Sequence, residues 1–153
     1  MTGSWLSGPN AARDDDGTEQ DYPGEHLGLP AHGPGAIVGL GRRVTALTID
    51  WLMSMGIAAL VVNTFASTQS LSTITLAVWF VLGVATVSVF SFTPGQLVAG
   101  IRVARVDVAA PVGFVRALVR TFFLVFVVPA IISDHDGRGM HDRATGTAMV
   151  RVR

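Results

Sequence analysis

From Trp51 to Ile101 the chain runs for 51 consecutive residues without Asp, Glu, Lys, Arg or His. Two apolar stretches dominate this region. The first runs roughly from Val44 through Ala66 (44–66) and carries one charge, Asp50. The second runs from Leu71 to Phe92 (71–92) and carries none. A helix needs about 20 apolar residues to cross a bilayer, and each stretch reaches that length. Ser67, Thr68, Gln69 and Ser70 form a polar, uncharged turn between them. Lipid offers no partner to a backbone N–H or C=O, so each crossing must satisfy its own hydrogen bonds as a helix. The expected core is a transmembrane helical hairpin. A hairpin buried inside a soluble fold competes with that reading, but too little amphipathic sequence remains to cover two such helices.

Charge is divided along the chain, although the formal net charge is zero. Residues 1–35 hold Asp14, Asp15, Asp16, Glu19, Asp21 and Glu25 against Arg13 alone. The remainder holds ten arginines and five acids. Residues 1–35 are rich in Gly, Pro and acids, so they bury too little surface to offset ordering entropy and are expected to be a disordered acidic tail. They lack the basic start and apolar stretch of a signal peptide. Residues 36–153 form the expected membrane domain. Arg42 and Arg43 stand directly before the first helix, and Arg102, Arg105, Arg116 and Arg120 follow the second. The turn has no basic residue. The positive-inside rule then puts the N-terminus and residues 93–116 in the cytoplasm of a multi-pass cell-membrane protein. Every fixed cation is arginine, which fits a high-GC bacterium and its inner membrane.

A third apolar stretch is shorter. Thr121 to Ser133 is 13 residues without a charge, and extension back to Ala117 makes 17, at the lower limit of a span. Arg120 would snorkel, and Pro129 would bend the chain. A full crossing over 117–133 would place Arg138, Arg143, Arg151 and Arg153 outside, against the charge rule. Gly100 to Val106 and Thr147 to Arg153 both alternate between apolar and polar residues, which suggests strands. If the two pair as a ribbon at the cytoplasmic face, both lie on one side of the membrane. The third helix is then re-entrant or interfacial rather than spanning. The expected class is an all-α membrane protein with a two-stranded β ribbon.

Asp50 is the conspicuous charge. An ionised carboxylate at the centre of a membrane helix costs on the order of 2.5–3.5 kcal/mol, so it calls for a partner or a polar path. Arg43, seven residues earlier, falls near the same helical face but about 10 Å away along the axis. Arg120 or Arg116 is therefore the expected partner. Two readings stand open: an ion or proton site, and a structural pair that locks helix packing. Ser54, Asn63, Thr75, Thr86 and Ser88 are expected to bond across helices. The segment Ser133 to Arg143, with Asp134, His135, Asp136, His141 and Asp142, is dense in metal-ligand types, but its spacing matches no zinc or calcium loop. There is no cysteine, phosphate loop or nucleophile elbow. No catalytic residue, cofactor, metal site or nucleic-acid contact is expected, and the chain is not expected to be an enzyme.

Four segments, taken in order, resemble the RDD family of small bacterial membrane proteins. Arg43-Val-Thr-Ala-Leu-Thr-Ile-Asp50 looks like its opening, with Arg43 (or Arg42 beside it) as the arginine and Asp50 as the first aspartate. Thr93 to Val103 resembles its glycine-containing segment after the second helix. Arg116-Ala-Leu-Val-Arg120 resembles the arginine-bearing start of its last apolar stretch. Met140 to Val150 looks like its C-terminal signature, with Asp142 as the second aspartate. The resemblance covers about residues 36–153 and implies a polar constellation of Arg43, Asp50 and Asp142, with Arg116 and Arg120 as further candidates. It also implies a part in transport. One protomer is too small to enclose a path, so transport of an ion or small solute would need a homo-oligomer or a larger membrane complex. The alternative is an accessory or assembly subunit of such a complex, held in the lipid bilayer.

Overall fold

The computed structural model describes residues 21–65, 70–126 and 137–153. Helices α1 (Leu40–Phe65) and α2 (Leu71–Phe90) form the hairpin, and both are long and apolar enough to cross a membrane. On α1 the buried positions are Arg43, Ala46, Asp50, Ser54 and Ala58. Their spacing of three and four residues puts them on one stripe. Ala46, Ser54 and Ala58 are small, which lets the neighbouring backbone come close. The rings of Trp51 and Trp79 meet at 6.3 Å across the pair. Only 22% of the apolar window of α1 and 28% of that of α2 is buried. A core helix of a soluble protein would be mostly covered; here Leu52, Leu60, Val81 and Val89 face outward.

The expected cross-helix hydroxyl bonds are not those observed. Ser54, Thr75 and Thr86 each donate to the carbonyl four residues back in their own helix, and Ser88 to the carbonyl three back. A short hydroxyl side chain reaches its own preceding turn more easily than a neighbouring helix.

Helix α2 ends at Ser91, which adopts a left-handed conformation with φ 63°. Three bonds hold this unusual turn. The Ser91 N–H donates to Val87, its carbonyl accepts from Val103 N, and its hydroxyl accepts from Val112 N. The short helix α3 (Pro94–Val98) follows, opened by a reciprocal capping box between Thr93 and Gln96. Strand β1 (Ile101–Arg105), helix α4 (Phe114–Val125), helix α5 (Met140–Ala144) and strand β2 (Thr147–Arg151) complete the order. The two strands pair antiparallel, with Ile101 opposite Arg151 and Arg105 opposite Thr147.

The free edge of β2 is not left open. Val38 N donates to Met149 O at 3.0 Å, and Arg151 N donates to Ala36 O at 2.9 Å. Residues 36–38 therefore lie beside β2 and cover an edge that would otherwise template pairing with another chain. Part of the expected tail is thus built into the fold: Gly35 N donates to Arg151 O, and Glu25–Leu27 form a 3-10 turn. Residues 1–20 of that tail lie outside the described residues. Ile101 packs with Val38, Ala46 and Met149, while Val103 packs near Val87, Val112 and Ala117. These two clusters fasten the sheet to one end of the hairpin. Each Val, Ile or Met among them, fully buried, stabilises by about 1.5–3 kcal/mol.

Helix α4 carries the described part of the third apolar stretch and starts at Phe114, ahead of the expected Ala117. Residues 127–136 lie outside the described residues. The helix begins at the sheet end of the hairpin, beside Ser91, and runs back along α2, where Thr121 meets Gly83. By Gly137 the chain is at the sheet end again, where that residue's carbonyl accepts from Arg43. Phe114 and Gly137, on either side of the stretch, therefore both lie at one end of the hairpin. A side chain at Gly83 would press on Thr121, since its Cβ would stand 3.2 Å from Thr121 Cγ2. Gly83→Leu is expected to lower stability by about 1–3 kcal/mol through overpacking. Gly56, with open space beside it, supplies the control: thermal unfolding should separate Gly83→Leu from a near-neutral Gly56→Leu.

Candidate functional site

Arg43 sits in the first turn of α1, one of the five positions on its buried stripe. Its neighbour Arg42 points outward and is exposed. The Arg43 guanidinium donates from Nε to Val38 O at 3.0 Å and from Nη2 to Gly137 O at 2.6 Å. Its Nη1 lies 3.8 Å from Asp142 Oδ2. A fork of five N–H donors suits such a multiple junction.

Asp142 comes from α5 and is fully buried. Arg120, on the inner face of α4, donates from Nη1 to Asp142 Oδ1 at 2.6 Å. Thr147 Oγ1 donates to the same oxygen at 3.3 Å, and His141 Nε2 lies 3.4 Å from it. Arg43, Arg120 and His141 are each at most 4% exposed. Burial opposes ionisation of Asp142 more strongly than any other single influence. Arg120, His141 and Arg43, with the Thr147 hydroxyl, outweigh it together and hold the carboxyl below its ordinary range.

Asp50 is satisfied differently. Its Oδ2 accepts from the Thr93 hydroxyl, and its Oδ1 accepts from Gly95 N at 2.7 Å. The expected partners Arg120 and Arg116 do not appear among its bonds. The reason is local: α3 crosses α1 at this point and presents the first donors of its opening turn, which have no intrahelical acceptor. A carboxylate there also meets the positive end of the peptide dipoles. Gly95 makes this approach feasible, because a Cβ on it would lie 2.1 Å from Ala46 O and 2.8 Å from Asp50 Cγ. Asp50 still adjoins Arg120: both line a cavity of ≈ 20 Å³, together with Ser54, Thr93 and Gln96.

Arg116 is set apart. It donates to Thr145 O at 3.0 Å and to Asp107 Oδ2 at 3.1 Å. Arg105 also grips Asp107 with two bonds. The Arg105 hydrogen bonds foremost, then Arg116 nearby, hold the Asp107 carboxyl well below the ordinary range. Of the expected constellation, Arg43 and Asp142 thus meet, joined by Arg120, while Asp50 forms a separate lock. His141 and Thr147 complete the Asp142 cluster. Their sequence signal was only their closeness to Asp142. Asp134, His135 and Asp136 lie outside the described residues. Among the described residues no group of three or more His, Asp or Glu is arranged to hold a metal.

Removing one partner of the buried pair strands the other. Arg120→Met is expected to cost about 3–5 kcal/mol of stability, read from thermal or denaturant unfolding. The acid limb has a definite sign. Asp142 ionises more readily folded than unfolded, so its contribution is present above about pH 4, its unfolded range, and is lost as pH falls through the folded value. Thermal midpoints should drop on acidification below about pH 4. Asp142→Asn should lower the neutral-pH midpoint and flatten that drop; an unchanged acid limb would assign it to other carboxylates.

The RDD family model matches residues 37–146. No curated protein and no solved structure matches the chain.

Proposed function

With the chain a member of the RDD family, we propose that it is a multi-pass protein of the bacterial cell membrane and a non-catalytic subunit of an assembly that moves an ion or small solute. The observation that carries the membrane placement is an inversion of polarity. Helix α4 turns Phe114, Val115, Leu118, Phe122 and Phe126 outward, and Arg120 and Thr121 inward. In water such a helix would be folded inside out; in lipid it is correctly solvated.

The arginines support an orientation. Arg42, Arg43, Arg102, Arg143, Arg151 and Arg153 belong to the sheet end of the hairpin. The opposite end, from Phe65 to Leu71, has no charged residue. The sheet and N-terminus then face the cytoplasm. Helix α4 enters from that side and, at twelve residues, extends about 18 Å. Gly137 lies at the same side, which supports a re-entrant third stretch.

The need for partners follows from scale. Asp50, Arg120 and Asp142 are bonded within the protomer, and the cavity beside Asp50 holds only ≈ 20 Å³. A solute path would run between copies or beside a second protein. The accessory or assembly reading has its own support, since both Asp50 oxygens are engaged by Thr93 and Gly95.

The cysteine-free chain makes topology testable. Val152→Cys should react with an impermeant maleimide only after the cytoplasmic side is opened, and Ser70→Cys should react in intact cells. Labelling of Val152→Cys from outside would overturn the orientation. Asp50→Asn separates the two roles. Lost flux at unchanged membrane abundance supports transport, whereas lower abundance or partner capture with no flux at stake supports an assembly role.

A further inference from the structure

A groove of ≈ 490 Å³ runs between α1, α2 and α4. That lies inside the range of about 300–1,000 Å³ typical of small-molecule sites. Its walls are apolar, with Val44, Leu47 and Leu52 on one side and Leu76 and Leu124 on the other. One end is polar and is formed by Arg43, Arg120, Gln96 and His141.

Length and charge together select an occupant. The groove follows α1 from Leu40 to Leu52, which at 1.5 Å per residue is about 18 Å. One leaflet of hydrocarbon is about 15 Å deep, half of a roughly 30 Å core. In the membrane placement proposed above, on which this inference rests, the groove therefore spans one leaflet. Its polar end lies where the cytoplasmic headgroups begin. Arg43, Arg120 and the exposed Arg42 face two carboxylates, Asp142 and, beside Arg120, Asp50, which leaves one positive charge in excess at this end. The attraction for an anion comes from this net positive field, while the arginines keep their bonds to Val38, Gly137 and Asp142. A zwitterionic headgroup would gain far less from the same field.

We propose that this groove binds an anionic glycerophospholipid of the cytoplasmic leaflet, one acyl chain lying along α1 and the phosphate at the arginine end.

The test uses the full chain extracted in detergent and offered equal amounts of phosphatidylglycerol and phosphatidylcholine with matched chains. Bound lipid and the number of protein copies are counted by native mass spectrometry. Phosphatidylglycerol should be retained with a preference on the order of fivefold or more, the weight of one arginine near an anionic surface. Leu76→Trp fills the groove from α2, and Thr48→Trp fills it from α1; Leu76 is 39% exposed, so its replacement spares the core. Both should abolish the preference. Val81→Trp, on α2 but away from the groove lining and 63% exposed, should keep it. Equal retention of the two lipids would overturn the proposal, as would a preference that survives both groove variants. Groove variants that change the number of copies and leave lipid retention intact would also overturn it, in favour of a second copy as occupant. A chain recovered in the soluble fraction without detergent would instead sink the membrane reading itself. Equal lipid retention by a membrane-extracted protein sinks only the lipid site.

Discussion

The buried carboxylate of Asp142 is the constraint on which the described architecture hangs. A charge this deep is tolerated only when it is paired and hydrogen-bonded. Its partners come from distant parts of the chain: Arg43 from α1, Arg120 from α4, and His141 and Thr147 from its own neighbourhood. Arg43 then extends the tie to Val38, beside β2, and to Gly137, before α5. No one of these elements can shift without exposing an unpaired charge to an apolar interior. The cluster does what a large hydrophobic core does elsewhere, in a chain whose apolar side chains mostly face outward.

Asp50 repeats the principle with neutral donors. Its carboxylate collects the hydroxyl of Thr93 and the amide of Gly95, so the opening turn of α3 is seated on the flank of α1. The capping box between Thr93 and Gln96 shapes that turn, and the absence of a side chain on Gly95 permits the contact. Seating α3 fixes where the chain leaves the hairpin, and therefore where β1 begins. The two aspartates act as separate locks: one sets the exit from α2, and the other gathers the later segments back to the start of α1.

Helix α4 links these locks to the surroundings. Its inner face supplies Arg120 to Asp142, and Thr121 lies against Gly83. Its outer face is a run of phenylalanine, valine and leucine. The same helix therefore closes the polar network and forms one wall of the groove whose polar end that network lines. Structural charge and the proposed binding field share Arg43 and Arg120.

The long uncharged run from Trp51 to Ile101 and the two apolar stretches beside and within it were enough to foretell the hairpin, because chain length and hydrophobicity are local quantities. The alternation in Ile101–Arg105 and Thr147–Arg151 announced two strands for the same reason, and the spacing of Arg43 and Asp50 put both on one helical face. Pairing was less legible. Asp50 looked like the partner of an arginine and proved to be bound by Thr93 and Gly95, because the approach of α3 is a matter of crossing geometry and not of spacing. The bridge that Ile37 makes to Val150 of β2 was not foreseen, since backbone pairing leaves little mark on so short a Gly-rich segment. The hydroxyls of Ser54 and Thr75 turned to their own helices because the nearest carbonyl was there. The sequence by itself determined which segments are apolar, where the arginines gather and how the local elements form. Only the tertiary structure decided which buried charge meets which, because burial makes partners obligatory and the meeting of distant segments makes them available.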